Sequence, residues 1–215
     1  KVVIEENKNG IEVTVDSNST PNSATSCGGW APAYVSELYR SIANRIRYNK
    51  DSGILYDLKY PAPLTGSNSD FGTVIGGGDA YYQNIISSNG NSGVFLNGSA
   101  SLIGSGVLRY SGVELYCNDI TQNRDYGLRI TGRDNPLIVE GVIGPYLSTQ
   151  NIIEQNTIGG IYLNYTKHPS YGNGVIQVHW SYIGNHPVFD IYNGVHNAIG
   201  YVEYNDIASS PLLGF

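Results

Sequence analysis

The 215-residue chain contains no methionine, even at position 1, and only two cysteines. A chain without an initiator methionine is expected to be a processed product or an excised fragment from which any signal peptide has been removed. No apolar run approaches the ~20 residues that a membrane-spanning helix needs, so we expect a protein that is not transmembrane.

Charged residues are also scarce, at 14% of the chain, against about 25% in an average globular protein. The net charge is −6 and no cluster of Lys and Arg stands out, which argues against nucleic acid as a partner. Polarity is carried instead by Asn, Ser, Thr, Gly and 18 tyrosines. This composition favours an extracellular or cell-surface protein.

Three segments of the chain share one 13-residue pattern without a gap, namely 84–96, 118–130 and 151–163. Counted from the first residue as offset 0, each has Asn at offset 0, Ile at 2, Asn at 5, Gly at 9 and aliphatic residues at 10 and 12. The copies begin 34 and then 33 residues apart. A fixed period of this size is typical of a solenoid, in which each unit buries its apolar face against its neighbours.

Within a copy, apolar and polar residues alternate with a period of two, which predicts strands. Gly and Asn recur every few residues and tolerate positive φ, so they are expected at tight bends between short strands. Successive coils would then stack in parallel with like residues above like. An inner aliphatic stack is predicted for Ile86, Ile120 and Ile153. A side-chain amide ladder is predicted for Asn89, Asn123 and Asn156.

The pattern resembles N-x-I-x-x-N-x-x-x-G-I-x-L, the repeat of right-handed parallel β-helices in the pectate-lyase-like superfamily. The resemblance covers residues 71–215 and implies an all-β fold, a short solenoid of about five rungs. A degraded fourth copy is predicted at 181–185, with Asn185 as its ladder residue. A fifth copy is predicted to begin at Asn205, with Ser210 in place of its second Asn.

Residues 1–70 are predicted to form a separate N-terminal part with a hairpin, a loop and a capping helix. Alternating residues predict strands at 2–5 and 11–15, and Asn9-Gly10 between them is a two-residue hairpin signal. Apolar residues at helical spacing predict one amphipathic helix over 32–48. It would cap the open end of the solenoid or, alternatively, pack along its side.

Cysteine and asparagine suggest two covalent modifications. One disulfide between Cys27 and Cys117 is expected in an oxidising compartment, although two separate buried thiols are the alternative. Asn18, Asn97 and Asn164 begin Asn-x-Ser/Thr sequons and are candidates for glycosylation. Sequons also arise by chance in an Asn-rich chain.

The resemblance implies polysaccharide cleavage as one possible activity, but no complete catalytic set of these enzymes is found. The nearest alternative candidates for catalysis are Asp119, Arg124, Arg129 and Glu154. Ordinary charge pairing on a solvated face is the favoured explanation for these residues. The four histidines show no zinc-ligand spacing, so no metal and no cofactor are expected.

Two function classes remain. The first is a secreted or cell-surface structural protein that assembles with copies of itself into a filament, surface layer or spike, through the ends of the β-helix and its N-terminal strand. The alternative is a carbohydrate-active enzyme or a carbohydrate-binding domain, because exposed tyrosines can stack on sugar rings.

Overall fold

The computed structural model describes residues 3–15, 44–58, 69–76, 84–98, 108–116, 118–132, 137–144, 151–165, 176–179, 181–195, 199–203, 206–208 and 212–213. Every regular element in these ranges is a β-strand, and the strands form three parallel sheets.

Sheet 1 has seven strands in the order β1 (Val3–Glu5), β3 (Asn44–Arg47), β6 (Asn84–Ser87), β9 (Asn118–Thr121), β12 (Ile152–Glu154), β15 (Tyr182–Gly184) and β18 (Asp206–Ala208). Sheet 2 has seven strands in the order β2 (Ile11–Val15), β4 (Ile54–Leu58), β7 (Val94–Gly98), β10 (Tyr126–Gly132), β13 (Gly159–Asn164), β16 (Phe189–Asn193) and β19 (Leu212–Leu213). Sheet 3 has five strands in the order β5 (Ser69–Gly76), β8 (Leu108–Tyr116), β11 (Leu137–Gly144), β14 (Ile176–His179) and β17 (Ile199–Glu203).

The chain visits the three sheets in a repeating order, and each visit adds one strand next to the previous one. We call one such circuit a turn: turn 1 holds β1 and β2, turns 2 to 6 hold three strands each from β3 to β17, and turn 7 holds β18 and β19. This order is compatible with a parallel β-helix. Of the seven turns formed by the described residues, five lie within residues 71–215, turn 1 precedes that range, and turn 2 crosses its start.

Aliphatic side chains on sheet 1 lie one above another inside the stack. The register pairs Ile46 with Ile86, Ile86 with Ile120, Ile120 with Ile153, and Ile153 with Ile183. All five are at most 1% exposed. Sheet 2 faces them with a second buried series at offset 10: Ile54, Val94, Leu128, Ile161 and Ile191. Burial of like residues in register is what holds successive turns together.

In the bends after six of the sheet 1 strands, the residue at offset 4 has a positive φ. None of these six residues is glycine, and only one is asparagine. The residues concerned are Glu6, Tyr48, Ser88, Gln122, Gln155 and Asn185, with φ between 55° and 63°. Glycine is required at offset 9 for a different reason, because a side chain there would collide with atoms of the next turn. A Cβ on Gly93 would lie 2.5 Å from Cγ2 of Ile120 and 2.9 Å from the carbonyl oxygen of Gly127.

The N-terminal part differs from the sequence prediction. The strands β1 and β2 form, but not as a hairpin: β1 pairs in parallel with β3, and β2 with β4. Residues 44–47 of the predicted helix are strand β3, and residues 32–43 lie outside the described residues. The local Asn9-Gly10 signal is outweighed by pairing with strands about forty residues away. The division at residue 70 stays a prediction, and sheets 1 and 2 continue across it.

Candidate functional site

A ladder of asparagine side chains at offset 5 runs through the inner turns. The Nδ2 of Asn49 donates to Oδ1 of Asn89, Asn89 to Asn123, and Asn123 to Asn156, each at 2.9 Å. Each Oδ1 also accepts from a main-chain N–H of the preceding turn, for example Asn123 N at 3.0 Å from Oδ1 of Asn156. The second hydrogen of each amide goes to a main-chain carbonyl, such as that of Ile86 at 3.1 Å from Asn123.

A second amide ladder follows offset 0. Asn44 donates to Asn84, Asn84 to Asn118, and Asn118 to Asn151, at 3.1 to 3.2 Å. Asn118 also donates to the carbonyl of Ile75 on sheet 3, at 2.8 Å. These amides therefore join the corners of the coil as well as successive turns, which satisfies polar groups that would be costly to bury unpaired.

The offset-5 ladder meets a buried histidine in turn 6. The Nε2 of His186 lies 3.3 Å from Nδ2 of Asn156, and its Nδ1 lies 2.7 Å from Oδ1 of Asp190. Both side chains are fully buried. Burial lowers the pKa of His186, while Asp190 and, more weakly, Glu154 act to raise it. His186 thus stands at the ladder position, and the predicted ladder residue Asn185 is an exposed bend residue instead.

The outer face of sheet 2 carries a third ladder, which we call the outer ladder: Phe95, Arg129, Tyr162 and Tyr192 at offset 11, with Tyr126 and Phe189 at offset 8. The guanidinium of Arg129 lies 4.7 Å from the ring centre of Phe95 and 6.0 Å from that of Tyr162. Tyr162 in turn stacks on Tyr126 at 4.6 Å and on Tyr192 at 5.0 Å. The rings of Tyr126, Tyr162 and Tyr192 stack on one another, and the guanidinium of Arg129 lies over the ring of Phe95.

The structure does not bring the four catalytic candidates into one site. Asp119 and Glu154 lie on sheet 1, and Arg129 lies on sheet 2 within the outer ladder, 3.9 Å from Asp125. Arg124 is exposed at the bend between the two sheets. Among the candidates, Asp119 and Glu154 lie on adjacent strands of sheet 1.

The carboxyl group of Asp119 has a raised pKa. Burial raises its pKa, a hydrogen bond with Thr121 lowers it, and the charge of Glu154 on the next turn raises it further. A raised carboxyl pKa is found in many active sites, but burial and a neighbouring like charge also raise it outside active sites. For Asp119 the main cause is burial, and the like charge of Glu154 adds to it.

The two described sequon asparagines differ in environment. Asn97 is half-buried, donates to Oδ1 of Asp57 at 3.0 Å and accepts from the hydroxyl of Thr131 at 3.3 Å. Asn164 is exposed and donates to the hydroxyl of Tyr162 at 2.9 Å. Asn18, Cys27 and Cys117 lie outside the described residues.

Among the described residues, no three or more His, Cys, Asp or Glu side chains form a group that could hold a metal ion. Within the same residues, no helix is long and apolar enough to cross a membrane. Comparison of the chain with protein-family models, with curated proteins and with solved structures found no match.

Sequence reasoning missed a copy of the repeat at 44–56, which departs from the pattern only at offset 12, where it has Tyr56. It has Asn44, Ile46, Asn49, Gly53 and Ile54 at the expected offsets. The pattern itself was the available signal, but the copy begins 40 residues before the next one, outside the period of the others. His186 could also have been found, because alignment of the fourth copy without a gap places it at offset 5.

Proposed function

We propose that this chain is a secreted or cell-surface structural protein, a right-handed parallel β-helix that assembles with copies of itself through its N-terminal turn. The observation that carries the proposal is the incomplete burial of turn 1. Ile4 and Ile11 pack against the core but are only partly buried, whereas their counterparts in turns 3 to 6 are fully buried. Right-handedness is supported by the strong preference of parallel crossovers for that hand.

The edges of sheets 1 and 2 support the same proposal. Strands β1 and β2 are the first strands of their sheets, with a neighbour on one side only among the described residues. An unpaired parallel edge is a template for strand addition. The last turn of a second copy offers the same strand directions, so a head-to-tail contact would extend both sheets and could propagate into a filament.

The side-chain contacts between turns favour a structural role over catalysis. The inner aliphatic series, both asparagine ladders and the outer ladder all join like positions of successive turns. Such contacts stabilise the stack, whereas the four catalytic candidates are spread over sheet 1, sheet 2 and the bend between them. A scaffold needs stacking of this kind, whereas an enzyme needs convergent groups around a substrate.

Light scattering over a range of protein concentrations, with electron microscopy of the same samples, tests the assembly. Ile4→Lys places a charge on the inner side of the edge strand and is expected to give monomers, while the wild-type mass rises with concentration. Thr157→Lys adds the same charge at an exposed position of turn 5 and is expected to assemble normally. A wild-type chain that stays monodisperse and monomeric at high concentration would contradict the proposal.

Export of the chain is part of this proposal and has its own test. The low charged fraction supports it, as do the sequons and the proposed Cys27–Cys117 disulfide. Intact-mass measurement on protein from its native source is expected to show a mass two hydrogens below the reduced form. In a glycosylating host, Asn164 is expected to be modified in preference to Asn97, because its side chain is exposed.

Carbohydrate binding is the second candidate, and the outer ladder is the observation that favours it. Four half-buried side chains, Phe95, Arg129, Tyr162 and Tyr192, line one outer stripe. Their stacked faces limit the sugar–ring contacts that usually give affinity. Glycan-array binding without turnover, lost in Tyr192→Ala and kept in Gln177→Ala on sheet 3, would support this function instead.

A further inference from the structure

We propose that His186 and Asp190 form an acid-sensitive lock on turn 6, in which the end of the asparagine ladder holds only while His186 is neutral. The pair occupies the two positions where the three regular copies carry Asn and Gly. It replaces an amide that cannot titrate with an imidazole that titrates near neutral pH. The inference is independent of the proposed assembly.

Main-chain carbonyls fix the direction of the ladder. In each inner turn the amide nitrogen faces a carbonyl oxygen: Asn89 faces Ile46 O at 3.2 Å, and Asn156 faces Ile120 O at 3.1 Å. Rotating any of these amides by half a turn would set its Oδ1 against that carbonyl oxygen, acceptor against acceptor. Asn156 must therefore present N–H to His186.

This direction assigns the tautomer of His186. Because Nε2 faces a donor at 3.3 Å, it must accept and carries no hydrogen. The neutral ring then has its hydrogen on Nδ1, which donates to the Asp190 carboxylate at 2.7 Å. Both ring nitrogens are thereby used, and each has one defined role.

Protonation of Nε2 sets N–H against N–H at the ladder's end. A protonated ring is attracted more strongly to Asp190 and to Glu154 on the neighbouring turn. This gain is opposed by the loss of the hydrogen bond from Asn156 and by the cost of burying a charged ring. Because the pKa of His186 is lowered in the folded protein, the unfolded chain takes up the proton first. Stability is complete above the unfolded histidine pKa of about 6.5 and falls as the pH drops below it.

Nitrogen-15 NMR of the histidine-labelled full chain tests the tautomer directly. At pH 8 the spectrum is expected to show one histidine with a protonated Nδ1 and a bare Nε2, and that signal disappears in His186→Asn. A neutral ring with hydrogen on Nε2, or an imidazolium at pH 8, would overturn the proposal.

Denaturant unfolding between pH 8 and pH 5 tests the lock. The double variant His186→Asn/Asp190→Gly restores the residues of the regular copies and removes the buried carboxylate together with the imidazole. Below about pH 6.5, the unfolding equilibrium constant of the wild type is expected to rise more steeply than that of the double variant as the pH falls. The difference is up to about tenfold per pH unit, because the unfolded chain binds one more proton than the folded chain. The same acid dependence in wild type and double variant would refute the lock.

Discussion

The side-chain nitrogen of Asn123 lies 2.9 Å from the side-chain oxygen of Asn156 on the next turn, and both residues are fully buried. The same oxygen accepts from the main-chain nitrogen of Asn123 at 3.0 Å. One amide thus binds both the backbone and the side chain of the turn before it. A shift of one residue between the turns would break both bonds and expose the inner isoleucines, so this contact fixes the register.

Asn123→Ala is expected to lower the free energy of unfolding by at least about 3 kcal/mol. The substitution removes two donated and two accepted hydrogen bonds. Buried polar groups of Asn89 and Ile86 on the preceding turn lose these partners, and Oδ1 of Asn156 on the next turn keeps only the main-chain N–H. Urea unfolding followed by circular dichroism measures the change. Thr157→Ala, at an exposed position, is the control and should stay within about 0.5 kcal/mol of the wild type. A comparable loss in both variants would mean that the ladder adds little.

Gly127→Ala is expected to destabilise the fold by about 3 kcal/mol through overpacking. The added Cβ would clash with Cγ2 of Ile153 and lie 2.8 Å from the carbonyl oxygen of Gly160 and 3.0 Å from Nδ2 of Asn156. Thermal unfolding is the measurement, and Arg124→Ala at the exposed bend is the control. Unchanged stability would show that neighbouring turns can move apart to accept a methyl group.

The repeat allows the inner residues of the stack to be predicted, because like residues at a constant spacing must coincide in a parallel ladder. Ile86, Ile120 and Ile153 share one register for that reason. The copy at 44–56 obeys the same rule, but its apolar residues continue a helical spacing that begins at Val35. A short apolar run does not distinguish strand from helix by itself.

The His186–Asp190 pair shows a different limit of the sequence. Asn185 is the residue type expected at offset 5, but it lies at offset 4. A search by residue type therefore selects Asn185 rather than His186. Ile183 and Ile191 fix the true alignment because both are fully buried in the inner series. The Arg129 contact with Phe95 depends on side chains 34 residues apart, and only the register between turns reveals it.

Gln155→Gly is expected to be more stable than Gln155→Ala by about 1 kcal/mol, because Gln155 has a φ of 55° and alanine is strained there. Both variants lose the exposed hydrogen bond from Gln122, so that effect cancels. The pair Thr157→Gly and Thr157→Ala should show the opposite order, since glycine at ordinary φ costs about 0.5–1 kcal/mol relative to alanine. The same order at both positions would argue against strain at the bend.

Tyr56→Phe is expected to raise the free energy of unfolding by about 1 kcal/mol, since a buried hydroxyl without a partner is costly. The Tyr56 side chain is 4% exposed, and its hydroxyl has no hydrogen-bond partner among the described residues. Burial also raises the pKa of this hydroxyl well above its usual value. The folded state therefore keeps its proton longer than the unfolded state, and stability declines as the pH rises above about 10, the usual tyrosine pKa.

Urea unfolding at pH 8 and pH 11 tests both expectations for this tyrosine. Tyr56→Phe should show a smaller loss of stability at pH 11 than the wild type. The control Tyr182→Phe removes a hydroxyl that accepts a hydrogen bond from Asn185 at 2.8 Å, and it should lower stability slightly at pH 8. A Tyr56→Phe variant less stable than the wild type at pH 8 would reveal a partner for the hydroxyl and refute the idea that it is an uncompensated buried group.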